Sequence, residues 1–362
     1  MTLGPLMLDV AGTVLDAGER ELLSHPAVGG IVLFARNYVE PAQLAALVGE
    51  IRSLRSPPLL VTVDQEGGRV QRLREGFTVL PPAASVGDLY DRNREAGLEL
   101  ARCVGLVMAA ELKALGVDLS LAPVLDLGGR NTNVIGHRAL HRDPAAVVAL
   151  ARCQVAGMRS AGMAAVGKHF PGHGSVTEDS HVSSPEDTRA LATIRAEDLR
   201  VFEHMIASGL PALLPAHVVY SDVDERTACF SRRWLQEILR AELRFEGAIL
   251  SDDLGCMIGA MSVGDLQART EAALGAGCDM ALLCNAPGEA ARVVEKYADA
   301  GSELLDERLQ PLFGTDGEWQ SLRESTIRMA ASAAKFRQEL LQWPVYRDAV
   351  HVIERFNAQA DA

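Results

Sequence analysis

The stretch Ala164-Ala165-Val166-Gly167-Lys168-His169-Phe170-Pro171-Gly172-His173-Gly174 starts apolar and ends charged and glycine-rich. It reads as a buried strand, Ala164–Lys168, that finishes on polar side chains and opens into a loop. The same pattern recurs along the chain. Seven further apolar runs cover Leu6–Val10, Gly30–Phe34, Leu59–Val63, Asp118–Val124, Ala212–His217, Ala248–Ser251 and Met280–Cys284. Between them lie segments with helix-period apolar positions: Glu19–Leu23, Pro41–Leu54, Glu95–Leu115, Pro144–Ser160, Arg189–Ala207, Arg232–Leu243 and Val263–Ala276. Strand–helix alternation implies a parallel sheet covered by helices, and eight strands are the count of a TIM-type (β/α)₈ barrel. A doubly wound open sheet is the alternative. The expectation is one domain, with residues 1–300 forming the barrel and residues 301–362, rich in Glu, Arg, Gln and Ala, packing on it as helices.

The strand ends carry the chemistry. Asp64 follows the third run and Asp126 the fourth. Lys168 and His169 close the fifth, His217 the sixth, Asp252 the seventh and Asn285 the eighth. Polar groups at the ends of apolar strands are costly to bury without partners, and in barrels the carboxyl rim is where active sites form. Six together read as an active-site mouth.

Composition narrows the partners. The 362 residues carry a net charge of −13, which disfavours nucleic acid and anionic membrane surfaces. The six cysteines, at 103, 153, 229, 256, 278 and 284, show no C-x-x-C spacing and lie mostly in apolar stretches. They read as buried thiols in a reducing compartment. No stretch approaches the ~20 apolar residues of a membrane span, and Met1-Thr2-Leu3-Gly4-Pro5 lacks the features of a signal peptide. A cytoplasmic monomer acting on a small molecule is expected.

Beyond Gly174 the loop continues through Glu178-Asp179-Ser180-His181. Asp179 and His181 stand two residues apart, so a local turn can join carboxylate to imidazole. Such a pairing fixes the tautomer and raises the pKa above its ordinary ~6.5, giving a proton donor usable near neutrality. His169, His173, His181 and Asp179 are also conceivable metal ligands, but no tight metal spacing supports that reading; no metal and no cofactor are expected. In Ser251-Asp252-Asp253-Leu254, strand alternation lets only one aspartate continue the inward row. If Ala248 and Leu250 face inward, Asp252 reaches the mouth and suits a nucleophile or an oxocarbenium stabiliser, while Asp253 braces a loop. In Asp64-Gln65-Glu66-Gly67-Gly68-Arg69, the carboxylate of Asp64 can accept sugar hydroxyls while the glycines turn the chain. Arg72 and Arg138 can grip an acidic or carbonyl-bearing group through their planar forks, or serve as structural ion-pair partners.

Asp64-Gln-Glu-Gly-Gly-Arg, Lys168-His-Phe-Pro-Gly-His-Gly, Asp179-Ser-His and Ser251-Asp-Asp-Leu, in this order, resemble the family-three glycoside hydrolases, and within them the single-domain bacterial β-N-acetylhexosaminidases. The similarity runs from about Met7 to Asn285. It implies a retaining exo-acting enzyme that removes N-acetylglucosamine (GlcNAc) from anhydro-N-acetylmuramic acid and its peptides during peptidoglycan recycling. Asp252 matches the nucleophile, and His181 the acid/base with Asp179 as its partner. Asp64, Arg72, Arg138, Lys168 and His169 match the sugar-binding positions. Two local departures are Gly136-His137-Arg138-Ala139, where Gly-Glu-Arg-Ser is common, and Gly255-Cys256, where Ser-Met is common. Transfer to phosphate by the same residues, substrate-assisted hydrolysis, and a catalytically silent sugar-binding barrel are the competing readings.

Overall fold

The computed structural model describes residues 2–129, 134–177, 185–255, 258–261, 263–297, 301–314 and 333–360. Eight parallel strands form the barrel: β1 (Leu6–Leu8), β2 (Val28–Leu33), β3 (Leu60–Val63), β4 (Leu119–Ser120), β5 (Val166–Phe170), β6 (Ala212–Pro215), β7 (Ala248–Asp253) and β8 (Met280–Leu283). Neighbours pair in the order β4-β3-β2-β1-β8-β7-β6-β5. The two ends of that series then meet. Val166 N donates to Ala122 O at 2.8 Å, Lys168 N to Pro123 O at 3.2 Å, and Leu125 N to Lys168 O at 2.6 Å. The sheet therefore closes, which excludes the doubly wound alternative.

The short β4 has a local cause. Pro123 has no N–H to give to the ladder, so beyond Ser120 the segment joins its neighbours through single bonds and the bridge between Val124 and Lys168.

Side-chain alternation separates two apolar layers. Met7, Val32, Leu60, Leu121, Val166, Leu214, Leu250 and Leu282 face inward and pack as one stack. Leu6, Leu8, Ile31, Leu33, Val61 and Val63 face outward against the helices. The inner stack also takes in Leu305, Leu309 and Leu312, from the helix Glu303–Leu309 and the turn Gln310–Phe313 after it. One end of the barrel is thus filled with apolar side chains, and Asp306 ties this segment to the chain start by accepting from Leu3 N at 2.9 Å.

Helix Pro144–Ser160 begins and ends where its sequence signals place it: Asp143 caps it by accepting from Ala145 N at 3.0 Å, and Pro144 occupies the first turn. The expected single helix Arg189–Ala207 is instead two, Leu191–Ala196 and Asp198–Ala207. They break at Glu197, where Arg189 gathers the carboxylates of Asp187, Glu197 and Asp198. Not anticipated were helix Ala83–Arg92, the hairpin of Gln65–Gly67 with Val70–Gln71, and a small sheet of Glu186–Asp187, Val219–Tyr220 and Asp224–Thr227. All are insertions between barrel elements, too short to show a period. Among the described residues no helix is long and apolar enough to cross a membrane. Among the described residues five cysteines form no disulfide, four of them buried; Cys256 lies outside the described residues.

At the C-terminal end, Ala333–Leu340 and Pro344–Ala360 are helices. The second buries Tyr346, whose hydroxyl donates to Glu111 Oε1 at 2.7 Å. Glu111 also accepts from Thr78, at 3.0 Å from its N–H and 2.6 Å from its hydroxyl. Burial pushes the Glu111 carboxyl up in pKa even with these donors present. Tyr346→Phe leaves a buried acceptor short of a donor and should cost about 1–3 kcal/mol. Urea unfolding checks this: the midpoint should fall with the slope unchanged, and a midpoint like that of the parent would show that the hydroxyl does not hold this helix.

Candidate active site

A cavity of about 300 Å³ opens at the carboxyl ends of the strands. Its floor is the top of the inner stack, Val32, Leu121, Leu214 and Leu282; its walls are polar. The size lies at the low end for small-molecule sites, roughly 300–1,000 Å³, and suits a single sugar ring.

One wall comes from β3 and β5. Asp64 follows β3 directly, and the chain then folds back as the hairpin Gln65–Gly67/Val70–Gln71. Gly67 and Gly68 turn it with φ of 107° and 53°, a left-handed backbone that side chains resist. A Cβ on Gly67 would lie 2.6 Å from Pro81 O. Side-chain amides hold the hairpin: Gln65 donates to Leu73 O at 2.8 Å and accepts from Leu73 N at 3.0 Å, while Gln71 donates to Thr78 O at 2.9 Å.

Two carboxylates thereby face Lys168. Its ammonium lies 2.7 Å from Asp64 Oδ1 and 2.7 Å from Glu66 Oε1. Arg138, on the turn Gly136–Arg138, donates to both oxygens of Glu66, at 2.8 and 2.7 Å. Arg72 stands farther off, 3.9 Å from Asp64. Burial works to raise the Glu66 carboxyl, but the two cations hold it well below the carboxylate range. Burial works against the Lys168 charge, and Asp64 and Glu66 overcome it, so its pKa is raised. The group is charged and fully paired.

Behind this wall lies Asp126, fully buried. Its Oδ2 is 2.6 Å from His169 Nδ1, and its Oδ1 accepts from the N–H groups of His173, at 2.7 Å, and His169, at 3.2 Å. Burial opposes ionisation, yet His169 and these N–H groups keep the Asp126 pKa below its ordinary value. A carboxylate on Nδ1 places a proton there and fixes the ring, leaving Nε2 for a partner on the other side. His173 also lines the cavity, its ring 5.9 Å from that of His169. Burial, and then His169, push its pKa down, so it is neutral at neutral pH.

The opposite wall is β7 and β8. Ala248 and Leu250 belong to the inner stack, and Asp252 continues their row into the cavity, accepting from Asp253 N at 2.8 Å. Asp253 accepts from Gly255 N at 2.8 Å, Cys284 N at 3.0 Å and Asn285 Nδ2 at 3.3 Å, bracing the ends of β7 and β8.

Of the strand-end groups read from sequence, Asp64, Lys168, His169, Asp252 and Asn285 line the cavity, as do Arg72 and Arg138. Asp126 lies behind it. His217 is fully buried beside Phe230, with ring centroids 5.4 Å apart, and does not line it; β6 ends at Pro215, so His217 falls beyond the inward row. Asp179 and His181 lie outside the described residues. The start of their loop is close-packed: a Cβ on Gly174 would meet Leu127 O at 1.9 Å, and Tyr220 donates to Gly172 O at 2.9 Å. Glu66 was missed as a site residue, although its two-residue spacing from Asp64 was a visible signal. Among the described residues no three His, Cys, Asp or Glu side chains gather as a metal site.

A closed barrel with a charged pocket at its carboxyl rim defines a barrel enzyme for a small polar substrate. Residues 7–311 match the glycosyl hydrolase family 3 N-terminal domain, and the chain belongs to that family. A beta-hexosaminidase of Thiobacillus denitrificans is 56% identical over 296 residues, 82% of each chain. One from Methylococcus capsulatus is 49% identical over 357 residues, 98% of this chain and 100% of that protein. The crystal structure of NagZ from Neisseria gonorrhoeae in complex with N-trifluoroacetyl-D-glucosamine superposes with a TM-score of 0.89 at 39% identity, covering 98% of each chain. The protein is a glycoside hydrolase with beta-hexosaminidase activity.

Asp126 carries a pH signature. Its pKa in the fold lies below the ordinary 3.8, so its ionised form contributes stability above that value, and the contribution is lost as pH falls from about 4 through the folded value. Asp126→Asn should be less stable than the parent at pH 7 and should lose less stability between pH 5 and pH 2. Parallel acid-unfolding curves for the two proteins would contradict this.

Proposed function

We propose that the protein is a retaining exo-β-N-acetylglucosaminidase that removes the terminal GlcNAc from β-1,4-linked anhydro-N-acetylmuramic acid, with or without its peptide, in cytoplasmic peptidoglycan recycling. The observation that carries the reading is the placement of Asp252 in the same small pocket as the Asp64–Lys168–Arg138 group. The apolar floor closes the pocket below one ring, so the scissile bond of a terminal sugar lies toward the open side. The N-acylated glucosamine in the Neisseria gonorrhoeae complex supports the same sugar for this pocket.

In this mechanism Asp64 accepts hydrogen bonds from sugar hydroxyls, while Lys168, Arg138 and Arg72 donate to hydroxyl and acetamido oxygens. His169 Nε2 hydrogen-bonds a further hydroxyl. Asp252 attacks the anomeric carbon and forms a covalent glycosyl ester, which water then resolves. The leaving oxygen is protonated, and the water later deprotonated, by His181 with Asp179 as its partner; this assignment rests on the resemblance of the Asp179-Ser-His motif. A substrate-assisted route needs a second carboxylate beside Asp252 to orient the acetamido group. Asp253 is committed to Gly255, Cys284 and Asn285 instead, which favours the covalent route.

Asp252→Ala should reduce kcat on p-nitrophenyl β-GlcNAc on the order of a thousandfold or more. A fluorinated GlcNAc donor should label the peptide that contains Asp252, as read by mass spectrometry. Activity retained in the variant, or label on another residue, would sink the assignment. The substrate is tested separately with GlcNAc–anhydromuramyl peptides: release of free GlcNAc supports hydrolysis, and GlcNAc-1-phosphate formed when phosphate is present would point to phosphorolysis.

A further inference from the structure

Glu66 differs from the other groups of the array in standing behind it. It is buried and does not line the cavity. Both of its oxygens are engaged: Oε1 meets Lys168 Nζ and Arg138 Nη2, each at 2.7 Å, and Oε2 accepts from Arg138 Nε at 2.8 Å. It acts on substrate only through those two cations, so its role is one of positioning and of charge.

The charge count shows what it does. Lys168 and Arg138 bring two positive charges to one wall, and Asp64 and Glu66 bring two negative ones within hydrogen-bond distance. Arg72 is more exposed and 3.9 Å from Asp64. Without Glu66, the largely buried cations Lys168 and Arg138 would share a single carboxylate, at positions where charge acts far more strongly than in water. Such a wall is an anion site. The cavity is lined by four cations, Arg69, Arg72, Arg138 and Lys168, and three carboxylates, Asp64, Asp252 and Asp253. Glu66 behind the wall supplies the fourth carboxylate, so the wall presents N–H donors that suit hydroxyl and acetamido oxygens and leaves an anion little unmatched positive charge to offset its lost hydration.

We propose that Glu66 is a specificity-determining residue: by cancelling Lys168 and Arg138 from behind, it keeps the pocket for an uncharged N-acylated hexosamine and turns away anions and anionic sugars. The proposal rests on the assignment of Lys168 and Arg138 to sugar binding.

The test uses inorganic sulfate as a competitive inhibitor of p-nitrophenyl β-GlcNAc hydrolysis at constant ionic strength. In Glu66→Gln the shape remains and the charge is gone. Its inhibition constant for sulfate should fall at least about tenfold, and KM should rise by a similar factor as the two cations lose their anchor, with kcat changing less. Glu66→Asp keeps the charge one methylene short: KM should rise while sulfate inhibition stays at the parent level. A loss of structure alone would weaken both ligands, so opposite movement of sulfate and substrate is the diagnostic. Unchanged sulfate inhibition in folded Glu66→Gln overturns the proposal, as does equal strengthening in Glu66→Asp. If Glu66→Gln does not fold, Glu66→Asp decides it, because a tighter sulfate site with the charge retained contradicts the idea. Lys168→Met separates the levels: a parental KM there removes the sugar-binding assignment itself, whereas a raised KM with an unresponsive Glu66→Gln removes this proposal alone.

Discussion

Taking charges out of water into a barrel mouth is the constraint that organises this molecule. An unpaired buried ion is among the costliest features a fold can carry, and a buried pair is tolerable only when every remaining donor and acceptor is met. Lys168, Arg138, Glu66 and Asp126 all lie largely out of solvent at the rim, and each has its partner on a different strand or loop. Pairing them therefore fixes β3, the segment after β4, and β5 relative to one another. A second belt does the same on the other side, as Asp253 engages Asn285, Asn285 N donates to Asp9 at 2.8 Å, and Arg36 binds both Asp9 and Asn285. The polar rim that binds substrate also secures the strand ends of the barrel.

The division between floor and walls follows from strand period and length. The inward rows begin apolar, with Leu60, Val166, Ala248 and Leu250, and turn polar toward the carboxyl ends, where a side chain need not fill the core. Asp64 after β3 and Asp252 at the end of β7 occupy such positions. Support reaches these groups from outside the barrel as well. Tyr346 on the C-terminal helix and Thr78 share Glu111, while Thr78 O and Leu80 N are held by Gln71 of the hairpin that carries Glu66. The C-terminal helix is thus linked by three successive hydrogen-bonded contacts to the hairpin beside the cavity.

The barrel and most of the rim were legible because period two, helix-length spacers and polar strand ends are local signals. Pro144–Ser160 was readable to the residue, having both a cap and a proline to mark its start. What escaped depended on partners distant in sequence. Arg189–Ala207 shows an unbroken helical pattern, and only the carboxylates that Arg189 collects explain its break. His217 looked like a rim group, but the inward row of β6 is Ala212 and Leu214, and the strand ends at Pro215. Glu66 sits two residues after Asp64, but that spacing alone does not show what it pairs with. Its importance comes from Lys168 and Arg138, about a hundred and about seventy positions away in the chain.

The adjacent pair Asp252 and Asp253 shows how backbone parity assigns chemistry to identical side chains. Both stand at the end of β7, and both lie close to the cavity. Asp253 points to where β8 ends, and two backbone N–H groups and the Asn285 amide fill its acceptor positions. Asp252 continues the inward row of Ala248 and Leu250, and its neighbour's N–H steadies one oxygen at 2.8 Å. Parity thus gives the two carboxylates different surroundings, one facing the cavity and the other bracing the strand ends. Exchanging the two roles would require shifting β7 by one residue, which would turn Ala248 and Leu250 out of the barrel and the outward row into it. Which of the two aspartates faces the cavity is therefore set by the packing of the core beneath them.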